Sequence, residues 1–156
     1  MSTVTPSDAP GTRSIRSYLQ IGIAAIGAAV ILWGLAQFAF VFGTMPRSES
    51  GFAEGLAIVV FGLYVLVGFI LLSLGLLFPQ QEGDGIQFSQ FQRRLLAYGA
   101  VAPIVGVVLV PIGATFAPPI LEPLTSLFVV VVVALLVSGP LATLVAIGGK
   151  LRDRRS

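Results

Sequence analysis

The chain has 156 residues, of which 56% are hydrophobic and only 10% charged, with a net charge of +2. Soluble domains carry about 25% charged residues, so a mean hydropathy of +0.97 makes lipid the expected solvent for most of this sequence. There is no Cys and no His, which removes disulfides, thiol nucleophiles, Cys/His metal centres, His proton shuttles and Cys lipidation. The nine basic residues are too scattered for a nucleic-acid footprint, and no cofactor is expected.

In chain order, residues 1–16 are rich in Ser, Thr and Pro without apolar periodicity and read as a disordered tail. Charged residues then divide the chain into four uncharged runs: residues 17–46, 55–81, 95–121 and 123–149. Each exceeds the ~20 residues that cross a ~30 Å hydrocarbon core as a helix. Lipid offers no partner for backbone polar groups, so helices are the solution for runs apolar on every side. The predicted spans are residues 18–43, 55–78, 95–117 and 121–148. The first is about twice the length of a signal-peptide core and reads as a retained anchor. Residues 79–85 are a turn-rich linker, and Ser89 with Gln92 fits a capping box opening the third span. A tight Pro-rich turn separates spans three and four, and residues 150–156 form a basic tail.

The basic residues choose an orientation. Arg13 and Arg16 precede the first span, Arg93 and Arg94 precede the third, and Lys150, Arg152, Arg154 and Arg155 follow the fourth. An even number of spans between these segments puts them on one side, against Arg47 alone on the other. The positive-inside rule makes the richer side cytoplasmic, and these cations serve as headgroup anchors. The expected fold is an all-α integral membrane protein, a compact up-down bundle of four transmembrane helices, N-in and C-in, with a transmembrane domain at residues 17–149.

Helices in lipid associate through small residues and a few polar contacts. Candidate packing lines are Gly22, Ala29 and Ala36 (continuing to Gly43) in the first span, and Gly62 in the second. Gly99, Gly106 and Gly113 form one in the third, and Ala134, Ser138 and Ala142 (continuing to Ala146) in the fourth. Gly68 and Gly75 lie on a different face of the second span from Gly62. Pro103, Pro111 and Pro140 are expected to kink their helices.

Apart from Glu122 at the very edge of the fourth, the spans contain no charged residue, whereas ion-coupled pathways usually need one. Gln37, Thr115 and Ser138 are the candidates for a polar pathway if one exists. Glu82 and Asp84 make a poor start for a cation site, and no nucleophile–base pair, phosphate loop or metal-ligand set is evident. The expected function is therefore non-catalytic: a multi-pass protein of the plasma membrane, an accessory or assembly subunit of a membrane complex, partnered by lipid and by another membrane protein or by itself. The alternatives are an oligomeric channel or transporter-like protein and, further off, a lipid-modifying enzyme using Glu54 or Glu122.

Overall fold

The computed structural model describes residues 10–44, 51–78, 86–116 and 122–153. They form four helices: α1 (Pro10–Thr44), α2 (Phe52–Leu77), α3 (Gln90–Phe116) and α4 (Glu122–Asp153). Each contains a stretch long and apolar enough to cross a membrane: Ser17–Thr44, Phe52–Leu77, Gln90–Gly113 and Thr125–Asp153.

The helices reach further than the apolar runs. Residues 10–16, assigned by composition to an unstructured tail, belong to α1. Residues 150–153, assigned to the basic tail, belong to α4. Both extensions follow from helix-end chemistry. Proline is well tolerated in a first helical turn, where its missing N–H would have no partner, and Pro10 opens α1. Cations favour a helix C-terminus, where the last carbonyls carry partial negative charge, and Lys150 and Arg152 occupy the last turn of α4. Arg154 and Arg155 lie outside the described residues, as do the 79–85 linker and the 117–121 turn.

The start of α3 is a complete capping box. The Ser89 N–H donates to Gln92 Oε1 at 3.0 Å, and the Gln92 N–H donates to Ser89 Oγ at 3.3 Å. Gly51 precedes α2 with φ 63°, a left-handed conformation open to glycine without a Cβ penalty. Both helices run on past their prolines, Pro103 and Pro111 in α3 and Pro140 in α4, although each proline removes one helical hydrogen bond.

The helices pack as a bundle, but not a symmetric one. α1 pairs antiparallel with α2, α3 pairs antiparallel with α4, and α2 joins the two hairpins by packing against α3 and α4. Among the described residues α1 approaches neither α3 nor α4, so it lies at the edge of the bundle instead of closing it. Within the most apolar part of each span only 17%, 11%, 33% and 22% of residues are buried, from α1 to α4. Most of the apolar surface, including Leu32, Trp33, Phe40, Val59 and Val130, therefore faces outward, as a lipid solvent requires.

Candidate functional site

The two hairpins are closed by glycine, and the built-in closeness is backbone against backbone. Between α1 and α2, a Cβ on Gly27 would collide with the Leu72 amide nitrogen and sit 2.8 Å from Gly68 O. One on Gly68 would meet Ile31 Cγ1 at 2.6 Å and Gly27 O at 2.9 Å, and one on Gly75 would lie 2.5 Å from Ala24 N. Gly34 is a little looser, with Tyr64 Cβ and Val65 Cγ2 at 3.2 Å from its would-be Cβ. The seam on α1 is thus the line Gln20, Gly27, Gly34, all buried.

The residues named from sequence on α1 fall elsewhere. Ala29 and Ala36 are exposed, and Gly22 has open space where a Cβ would stand. Gly62 of α2 likewise has nothing nearby. On α3 the stripe meets a partner helix at every position. A Cβ at Gly99 would strike the Thr143 hydroxyl, one at Gly106 would lie 2.8 Å from Leu136 Cδ2, and one at Gly113 would strike the Phe128 ring. On α4, Ala142 and Ala146 are buried while Ala134 is exposed. The residue of closest approach there is Gly139, whose would-be Cβ collides with the Pro103 ring.

Proline and glycine cooperate at this crossing. Pro103 has no N–H, so the carbonyl four residues earlier, that of Gly99, loses its helical partner. That oxygen lies 3.1 Å from the Cβ position of Gly139, and Gly139 O lies 3.1 Å from the Cβ position of Gly99. The two backbones therefore face one another across this crossing with no room for a side chain at either glycine.

The same crossing holds the polar link between the hairpins. Ser73 of α2 and Thr143 of α4 are both fully buried, with their hydroxyl oxygens 2.7 Å apart. The Thr143 hydroxyl also lies 3.1 Å from Gly139 O, to which it can donate when Ser73 supplies the proton between the two hydroxyls. Gly99 has to be glycine for a second reason: its would-be Cβ is 3.2 Å from Ser73 Oγ. Three helices therefore meet at one small hydrogen-bonded node.

At the end where α3 begins and α4 finishes, Gln92 does two jobs. Its amide oxygen caps α3, and its Nε2 donates to Asp153 Oδ2 at 3.2 Å. This ties the two termini of the hairpin together. Arg93, Arg94 and Arg152 are exposed around it and Lys150 is half-buried. Arg13 and Arg16 lie on the first turns of α1, at the same end.

Gln37, Thr115 and Ser138 do not converge. Gln37 is half-buried on α1, which among the described residues packs on α2 alone. Thr115 is exposed and donates to Pro111 O of its own helix at 2.8 Å. Ser138 bonds Leu135 O at 3.3 Å and lies 2.9 Å from the Tyr98 hydroxyl. Sequence reasoning missed Gln20, which is 1% exposed and hydrogen-bonded or otherwise engaged, and with it the Gln20–Gly27–Gly34 line. The signal was present as a seven-residue repeat, in parallel with the repeat through Gly22. Among the described residues no cluster of acidic side chains could hold a metal ion. No protein family, no curated protein and no solved structure matches this chain.

Proposed function

We propose that this chain is a non-catalytic multi-pass protein of the plasma membrane, with both termini cytoplasmic, serving as an accessory or assembly subunit of a larger membrane complex. The observation that carries the reading is the edge position of α1. Among the described residues this helix packs on α2 alone, and Gly22, Ala29 and Ala36 line its open side. Small residues allow the close backbone approach by which transmembrane helices associate. The orientation rests on sequence position: eight basic residues fall in the two terminal segments and between the second and third spans, against Arg47 alone between the first and second.

The test is purification from native membranes in a mild detergent, with the mass of the complex determined and its components identified. A second membrane protein at fixed stoichiometry is expected. A pure homo-oligomer would contradict the reading and make flux in liposomes the next assay, and a monomer would contradict it outright. The open side of α1 supplies the second arm: Gly22→Leu and Ala29→Leu should release the partner while leaving the chain folded.

A further inference from the structure

A half-open cleft of about 230 Å³ lies at the basic end of the bundle, between the end of α2, the segment leading into α3 and the end of α4. Leu72 and Leu76, Ile86 and Phe88, and Ile147 give it an almost wholly apolar lining, and Lys150 stands in its wall. It exceeds the ~150 Å³ apolar cavity that accommodates benzene, so it has room for part of an acyl chain. The chain's own 79–85 linker, Pro-Gln-Gln-Glu-Gly-Asp-Gly, carries no large apolar side chain that could fill it. The lining suits hydrocarbon, which the surrounding lipid supplies.

Charge narrows the choice. An ammonium in an apolar wall is costly unless an anion faces it. No carboxylate is among the residues that line the cleft, and the exposed Arg93 and Arg94 add further positive charge at this end. The ligand chemistry that answers both features is an acyl chain joined to a negative headgroup.

We propose that this cleft binds one anionic phospholipid from the leaflet on the C-terminal side, its acyl chain against Leu72, Leu76 and Ile147 and its phosphate at Lys150. The inference rests on membrane insertion but not on the accessory-subunit reading.

The test uses the full chain in phosphatidylcholine vesicles containing a fraction of acyl-brominated phosphatidylglycerol or acyl-brominated phosphatidylcholine, with bromine quenching of indole as the readout. Trp33 is the only tryptophan, so the Trp33→Phe, Phe88→Trp chain reports from the cleft alone. The indole introduced by Phe88→Trp should show about a fivefold preference for phosphatidylglycerol, the contribution of one cation at a headgroup. Lys150→Gln should bring that preference close to parity, while Arg94→Gln, outside the cleft, should leave most of it. Equal quenching by both lipids, or a preference that survives Lys150→Gln, would overturn the site. The unmodified chain supplies the separate check on insertion: Trp33 should be quenched alike by both lipids, and no quenching of Trp33 would refute insertion itself and the cleft with it.

Discussion

Replacing Gly27 by alanine should detach α1, and the size of the effect can be isolated by subtraction. A Cβ at Gly27 meets the Leu72 backbone N, Gly68 O at 2.8 Å and Leu72 Cα at 2.9 Å. All three are main-chain atoms, so no side-chain rotation relieves the clash and the helices must separate. Overpacking of this kind costs about 1–3 kcal/mol. Against it stands the gain in helix propensity, about 1 kcal/mol for glycine to alanine in a helix interior. Gly22→Ala receives the same gain on the same helix with nothing within 4 Å of its Cβ. The difference between the two variants is then the clash alone. Unfolding by SDS in mixed micelles, followed through Trp33 of α1, should place Gly27→Ala about 1–3 kcal/mol below Gly22→Ala. A difference within about 0.5 kcal/mol would refute the seam, because it would mean that α1 does not pack on α2 through Gly27.

The buried node gives a double-mutant cycle: Ser73→Ala and Thr143→Val should couple by about 0.6 kcal/mol and no more than about 1.7 kcal/mol, the range for hydrogen bonds between membrane helices, and additive effects in SDS unfolding would deny the bond. Gly99→Ala should be more damaging than either, by about 1–3 kcal/mol, since its Cβ strikes the Thr143 hydroxyl and faces Gly139 O at 3.1 Å; wild-type stability would disprove the three-helix crossing. Gln92→Ala keeps the Ser89 cap but loses the reciprocal bond from the Ser89 N–H, and should cost about 0.5–1.5 kcal/mol. Gln92→Glu keeps the capping acceptor but sets a carboxylate beside Asp153, so its deficit should shrink with added salt while that of Gln92→Ala should not; equal salt responses would remove the Gln92–Asp153 tie.

Four apolar helices were legible because charged residues bracket each run and the length requirement of a bilayer is strict. The Ser89–Gln92 box was legible because capping is local: the partners are three residues apart and need no knowledge of the fold. The line of contact on α1 was not. Gly22, Ala29 and Ala36 repeat every seven residues, and so do Gln20, Gly27 and Gly34. Both lines are rich in small residues, and nothing within the helix says which one faces α2. The α3 stripe fared differently because Gly99, Gly106 and Gly113 have no rival line of glycines on that helix. The edge position of α1 was equally hidden, since lipid and protein neighbours ask for the same apolar side chains. The Ser73–Thr143 bond joins residues seventy apart in sequence, a pairing that depends on how the two hairpins dock. Gln20 escaped notice because a glutamine near the start of a span reads as an interfacial residue, whereas here it is turned into the seam.

The central claim, four membrane-crossing helices with both ends inside, is tested most directly by cysteine accessibility in intact cells. The chain has no cysteine, so single substitutions report without background. With an impermeant maleimide, Ser50→Cys in the connection between α1 and α2 should label from outside. Gln87→Cys, at an exposed position just ahead of α3, should label only after the membrane is opened. The reverse pattern would contradict the orientation, and labelling of both sites from the same side would contradict the four-span topology.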